Sequence, residues 1–467
     1  MKQTETGRIV RVAALVAITG VVAACAPSVE LAVPSDIHSA TWATQLTGPA
    51  LPAQADHQGA ALDWAAFGSA RLNDLLSQAR AANTDIAIAN ARIAGAAADM
   101  RIARAANGPV LEAFGRAESN ARGGSGENAF RNSYVAGDLD LTFTFDLSGR
   151  LKAGKKVAFA RYRAAGYEAQ AMRLNIETAV ASAYIEYASL GDRIAIAEKA
   201  LANAREFERT LGLRAEEGLT SRVDAGLQTT EANSLAVDLS KLREGRVRTL
   251  NALAVLVGEE APLFSIAPAS LTEFTTPQFT LLQPAALVTR RPDMLAAAAI
   301  IEAAEGDVQR ARAEFLPDVE ISAGAFLDST ASGGILSPGF ALASRVLATI
   351  FDNGRLKGQV YRATAEQKEA VDQYRKALLG ALASAQNALA GSTATAERSA
   401  LIERSQRIAA RTADLAKRRF AEGSDDFGTV LIADRRSLEV QDSYVVSQQD
   451  ALNNAIALYT AMGGRPQ

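Results

Sequence analysis

The chain has 467 residues, of which 48% are hydrophobic, 22% charged and only 6% aromatic, with a formal net charge of −3. The near-neutral balance excludes the basic footprint of a nucleic-acid binder. Abundant Ala with few aromatic residues suits long helices at close approach better than a bulky globular core.

The N-terminus, MKQTETGRIVRVAALVAITGVVAAC, sets Lys2, Arg8 and Arg11 before an apolar run from Val12 to Ala24 and then the only cysteine, Cys25. The run is too short for a retained membrane helix and reads as a secretory signal over residues 1–24. A lone exported cysteine has no intramolecular disulfide partner, so acylation of Cys25 in the lipobox-like VAAC phrase is its expected use. Ala26 is not the Asp that in enteric bacteria often retains a lipoprotein at the inner membrane, which favours an outer-membrane address. Residues 25–62, with Pro27, Pro34, Pro49 and Pro52, read as an extended tail.

From about Leu72 the pattern turns helical and Ala-rich as far as Asn107, stopping at Pro109. Two runs of strand pattern follow in 109–146. The second alternates Tyr134, Ala136, Asp138, Asp140, Thr142 and Thr144 with Val135, Gly137, Leu139, Leu141, Phe143 and Phe145. A polar face against an apolar face at period 2 over some ten residues is the mark of a membrane β-strand, although the edge of a soluble sandwich looks the same strand by strand. At FDLSGRLKAG the strand ends and a helical pattern runs from about Leu151 to Ala215 without a proline, long enough for about 90–100 Å of helix. A turn at Gly218 and a returning helix to Gly258 complete a helical hairpin over 150–258.

After a connection over 259–280 the same order recurs in 281–464. NTDIAIANARIAGAAADMRIARAANGP aligns with RPDMLAAAAIIEAAEGDVQRARAEFLP, pairing Asp85 with Asp293 and Pro109 with Pro317. A second pair of strand patterns lies in 317–351, where Asp318, Glu320, Ser322 and Asp328 alternate with Val319, Ile321, Ala323, Ala325 and Leu327. Its last strand is ambiguous, because Arg345 breaks the face. FDNGRLKG then repeats the strand-to-helix phrase, and a second helical hairpin spans 355–463 around Gly423. The chain is read as a tandem duplication of a unit of roughly 200 residues, 63–258 and 281–464.

Four membrane strands cannot stay open in lipid, and the smallest membrane barrels have about eight. Several chains must pool their strands, and three chains make a closed barrel of twelve. The expected fold class is an α+β membrane protein, a trimeric 12-stranded β-barrel continuing into a long α-helical barrel. Junctions would be Phe145, Asp146, Gly149 and Arg150 in the first unit, and Phe351, Asp352, Gly354 and Arg355 in the second. Asp138, Asp140, Asp318 and Glu320 would line the lumen.

DWAAFGSARLNDLL with Trp64 and Phe67, NTDIAIANARI, RRPDM, AEFLPDVEIS, FDLSGR, FDNGRLKG, GLTSRVD, EGSDDFGTVLIADRRSL and LYTAMGG cover nearly all of the mature chain. In them the sequence resembles the TolC-type outer-membrane factors, in the lipoprotein branch of the OprM and NodT kind. The resemblance implies a homotrimeric exit duct with no chemistry of its own. It would be lipid-anchored in a Gram-negative outer membrane and reach into the periplasm. The duct would work with an inner-membrane pump and a periplasmic adaptor, exporting small molecules such as drugs. It also implies that Gly218, Leu219, Thr220 and Ser221 in the first tip, and Gly423 and Ser424 in the second, dock the adaptor. Just past the second tip, Asp425 and Asp426 with Arg419 read as a ring around the periplasmic mouth, capable of selecting cations or tying the mouth shut. A plain acidic helix start reads the same residues equally well. The sequence departs from the family at Ile432 and Asp434, within LIADRRSL, and at Ala297 after RPDM.

No catalytic constellation competes. Both histidines, His38 and His57, lie in the tail, no metal-ligand cluster or phosphate-binding loop is present, and no cofactor is implied. A type I protein-secretion duct and a coiled-coil spacer lipoprotein are the alternatives. The spacer leaves the duplicated strands unexplained.

Overall fold

The computed structural model describes residues 63–122, 130–277, 284–329 and 336–464. Cys25, the signal segment and the tail lie outside the described residues. In chain order the elements are a 3-10 turn at Trp64–Phe67, α1 (Ala70–Ala82), α2 (Thr84–Ala105), β1 (Val110–Arg122), β2 (Phe130–Phe145), α3 (Arg150–Glu216), α4 (Arg222–Val257), α5 (Pro284–Arg290), α6 (Pro292–Ala313), β3 (Asp318–Ser329), β4 (Leu336–Leu347), α7 (Arg355–Ala421) and α8 (Phe427–Ala461). A short 3-10 turn at Leu271–Glu273 lies between α4 and α5.

Each Ala-rich stretch read as one helical pattern is two helices. Asn83 ends α1 and starts α2, its Oδ1 accepting from the Asp85 and Ile86 amides at 2.9 and 3.1 Å. Arg291 separates α5 from α6 because Pro292 follows it, and the residue before a proline is pushed out of the helical region. α3 and α7 have 67 residues each, about 100 Å at the helical rise.

The described chain divides into two compact units. The first holds the sheet and residues 91–105, 150–166, 296–313 and 355–376 of α2, α3, α6 and α7. Its sheet is antiparallel in the order β1-β2-β3-β4, so β1 and β4 are its edges. Small residues let the helices of this unit close: Val157 and Ala160 of α3 pack with Ala303 of α6, and Val308 and Ala311 of α6 pack with Val360 and Ala363 of α7. Gly306 leaves room for Val157, whose Cγ2 would lie 2.6 Å from a Cβ there.

The second unit contains the remaining described residues. Its core gathers Trp64, Phe67, Leu72, Leu75 and Leu76 from the start of the described chain against Tyr184 and Ile185 of α3, Leu253 and Val257 of α4, and Tyr459 of α8. The Trp64 and Tyr459 rings lie 4.6 Å apart. Glu177, buried in this core, accepts from Trp64 Nε1 and Arg80 Nε at 2.7 Å each and from Arg173 Nε at 3.1 Å. Tyr184 donates to Glu273 at 3.2 Å, and burial, with that carboxylate beside it, pushes its hydroxyl up to about 12.

Candidate functional site

The sheet register sorts every strand residue onto one of two faces, because directly opposed residues point the same way. One face carries the rows Phe145, Val319 and Val346; Leu141, Ala323 and Leu342; and Leu139, Ala325 and Phe340. Phe340 and Leu342 on the edge strand are 72% exposed, so this apolar face has no cover among the described residues. The other face carries Thr144, Glu320 and Arg345 in one row, and Thr142, Ser322 and Ala343 in the next. Glu112 stands opposite Asp140 on it.

Arg345 therefore does not break a face. It belongs to the polar one, where it donates to Glu320 at 2.7 Å. The register also puts Phe114, Asp138 and Phe326 in one polar-face row, with the Phe326 ring lying over Gly339. Of the four carboxylates expected to line a lumen, Glu320 has Arg345 and Asp318 has Arg150, at 3.3 Å. Asp138 and Asp140 have no ion pair among the described residues.

The two strand-to-helix junctions owe their common phrase to capping. Asp146 accepts from the amides of Leu151 at 3.0 Å and Lys152 at 2.8 Å. Asp352 accepts from Gly354 at 3.0 Å and Leu356 at 2.8 Å. The Leu356 N–H, foremost among these, holds the Asp352 carboxyl below the usual carboxylate range. Each Asp satisfies amides that the first turn of a helix leaves without partners. Gly149 and Gly354 turn the chain at φ +75° and +87°, which side chains disfavour. The junctions differ in their arginines: Arg150 reaches across to β3, whereas Arg355 stays with Asp352, 4.0 Å away, and Gln359. Phe145 is the last residue of β2, but β4 stops at Leu347, and exposed Phe351 lies beyond it.

The tips are built alike. α3 ends where Gly218 takes φ +73° and the Leu219 amide returns to the Arg214 carbonyl at 2.7 Å. α7 ends where Gly423 takes φ +73° and the Ser424 amide returns to Arg419 at 2.8 Å. Both are the Schellman closure of a helix, with glycine supplying the left-handed residue. Ser221 caps α4 by accepting from Val223 at 3.1 Å, and Thr220 donates to Asp224 at 3.4 Å. Asp426 caps α8, accepting from Thr429 at 2.8 Å, while Asp425 pairs with Arg419 at 3.4 Å. The acidic pair thus splits into a helix cap and an ion-pair partner. The side chain of Leu219 stands exposed.

Sequence reasoning missed the groups behind the tips. Phe207, Phe420 and Phe427 form a triangle with ring centroids 5.3–6.3 Å apart, and the Arg214 guanidinium lies 5.9 Å over Phe420. Lys417 pairs with Asp434 at 2.7 Å, and Arg435 pairs with Glu231. A cavity of about 580 Å³ opens among Phe207, Gln228, Leu235, Val430 and Leu431. An exposed Ile432 and an ion-paired Asp434 are thus what the two departures in LIADRRSL provide. Phenylalanines at i and i+7 across a glycine turn, as in Phe420 and Phe427, were the available signal.

A four-stranded antiparallel sheet feeding two 67-residue helices is the fold of TolC-type outer-membrane channels. The chain matches the solved structure of VceC from Vibrio cholerae with a TM-score of 0.78 at 28% identity, over 86% of this chain and 98% of that one. It matches the CmeC outer membrane channel of Campylobacter jejuni with a TM-score of 0.83 at 18% identity, over 95% and 96%. The family model described as outer membrane efflux protein matches residues 75–259 and 284–464, and the chain belongs to that family. Among curated relatives it is 29% identical to the pyoverdine export outer membrane protein OpmQ of Pseudomonas aeruginosa, over 86% of each chain. It is 26% identical to the solvent efflux pump outer membrane protein SrpC of Pseudomonas putida, over 85% of this chain and 86% of that one. The protein is accordingly an outer-membrane exit duct of an efflux system, and not an enzyme.

Proposed function

We propose that three copies of the chain pool their sheets into one 12-stranded barrel and export small molecules passively through it. The observation that carries this reading is the sheet itself, which has two open edges, β1 and β4, and an uncovered apolar face. Unpaired edge groups in lipid cost several kcal/mol each, so the strands close only by pairing β4 of one copy with β1 of the next. The polar face then lines the lumen, and the long helices carry the duct into the periplasm. The order helix, strand, strand, long helix, helix occurs twice, which supports an ancestral duplication into units 63–258 and 281–464.

The duct has no energy source of its own, so an inner-membrane pump drives the cargo and a periplasmic adaptor connects the two. The tips at Gly218–Ser221 and Gly423–Ser424 are the adaptor's docking points, and Arg419, Asp425 and Asp426 surround the mouth. A lipid on Cys25 anchors the chain. The cargo class is small organic molecules, by analogy with the pyoverdine and solvent named for the relatives.

The native mass of the protein extracted from outer membranes in mild detergent tests this reading. A trimer is expected. A stable monomer, released from the membrane once Cys25 is replaced, would overturn it.

A further inference from the structure

The net charge of the whole chain is −3, yet residues 150–163 of α3 hold Arg150, Lys152, Lys155, Lys156, Arg161 and Arg163 without one acid. The three arginines are engaged, with Asp318, Asp307 and Glu302. The three lysines have no ion pair among the described residues. Lys152 and Lys155 are exposed on the side of α3 turned from Val157 and Ala160, which pack on α6. The other two helices of this unit that end in the open at the sheet repeat the feature. Lys357, two residues into α7, is exposed, as are Arg101 and Arg104 in the last turns of α2, and none of the three has an ion pair among the described residues.

Apolar groups stand among these charges. Phe159 on α3 is 47% exposed, Tyr361 on α7 is 64% exposed, and Ile102 lies between the two arginines of α2. Leu147, Ile350 and Phe351 are exposed between the strand ends and the helices. The far end of α7 is different: Lys417, Arg418 and Arg419 each have a carboxylate partner there. Exposed cations with no ion pair among the described residues recur elsewhere, Arg205 and Arg209 of α3 and Arg411 of α7 among them. What sets the strand end apart is the acid-free run of six cations over 150–163, interleaved with apolar side chains. Water alone does not call for that mixture. A headgroup surface does, because apolar groups enter the acyl boundary while Lys and Arg extend to the phosphates.

We propose that Arg101, Arg104, Lys152, Lys155, Lys156 and Lys357 form a collar that binds the anionic glycerophospholipid headgroups of the leaflet in which the strands end. The inference rests on the barrel reading, which puts all the junctions at one membrane surface. It adds a lipid preference that the barrel does not require.

The test uses the full-length protein in mild detergent, titrated with dioleoylphosphatidylglycerol or dioleoylphosphatidylcholine and followed by native mass spectrometry. The wild type is expected to retain the anionic lipid roughly tenfold better, and to lose that preference as salt rises and the Debye length falls below about 10 Å. The variant K152Q/K155Q/K156Q/K357Q is expected to approach parity between the lipids, while K368Q/K376Q, farther along α7, behaves as wild type. Equal retention of both lipids by the wild type, or an unchanged preference in the quadruple variant, overturns the collar. Should that variant not fold, the wild-type lipid ratio at low and high salt decides alone. Retention is scored per chain, so the trimer or monomer mass in the same spectra judges the barrel separately.

Discussion

Trp64 donates its indole N–H to the Glu177 carboxylate at 2.7 Å, across 113 residues of sequence. Glu177 also receives Arg80 and Arg173, so one buried anion fastens the start of the described chain to α3. Glu177→Ala leaves three donors without their acceptor. Both arginines are part-exposed and can recover water, which puts the expected loss at about 2–3 kcal/mol. Glu177→Gln keeps an oxygen for Trp64 and should lose about half as much. Denaturant midpoints of the detergent-solubilised protein measure both, and a shift below about 0.5 kcal/mol for the alanine variant would remove Glu177 from this role.

That contact also marks the limit of sequence reading. Local patterns were legible: alternation in β2 and β3, proline-free runs for α3 and α7, and the FD-GR phrase at both junctions. The break at Asn83 was not, because apolar periodicity continues across it and only the side-chain caps interrupt the helix. The break at Arg291 has a local signal in Pro292, but the apolar periodicity runs on through it into α6. The face of Arg345 depends on its register with Glu320, and no single strand encodes that.

If the polar face lines a lumen, the Arg345 and Glu320 pair is close to neutral there, and Glu112, Asp138 and Asp140 leave an acidic excess. Arg345→Gln frees the Glu320 charge and should shift the reversal potential in a salt gradient toward stronger cation preference. Glu320→Gln should shift it the opposite way. Equal reversal potentials in the two variants would put these side chains outside the conducting path.

Asp352 predicts an acid sensitivity at the start of α7. Its carboxyl sits below the usual range in the folded protein, so its contribution is present above the unfolded value of about 3.9 and is lost as pH falls through the lower folded value. Hydrogen exchange at the Gly354 and Leu356 amides should therefore accelerate, relative to mid-helix amides and after correction for intrinsic rates, only below about pH 4. Asp352→Asn keeps an acceptor oxygen and should flatten that acid step. A step that persists in the variant would assign it to another group.

Gly423 has open space where a Cβ would stand, so substitution there meets only the backbone cost of φ +73°. Gly423→Ala should lose about 1–2 kcal/mol, expressed as local opening of the tip, and Gly423→Asn distinctly less because asparagine tolerates the left-handed region. Limited proteolysis near residues 421–426 reads the difference. Equal cleavage of the alanine and asparagine variants would show that strain at φ +73° does not set the opening of the tip.

Asp425 and Asp426 call for separate substitutions, since one pairs with Arg419 and the other caps α8. The Arg419–Asp425 pair is half-exposed and contributes at most about 1 kcal/mol, too little for one pair to hold a mouth shut, whereas in the proposed trimer three such pairs would act together. Asp425→Asn should therefore raise single-channel conductance while leaving the unfolding midpoint unchanged. For Asp426 the pair of variants matters: asparagine retains the capping oxygen and drops the charge, whereas alanine loses both and about 1 kcal/mol of helix stability. If charge at the mouth controls conduction, Asp426→Asn conducts like Asp426→Ala. If the cap controls it, Asp426→Asn conducts like wild type, and the acidic ring reduces to Asp425 alone.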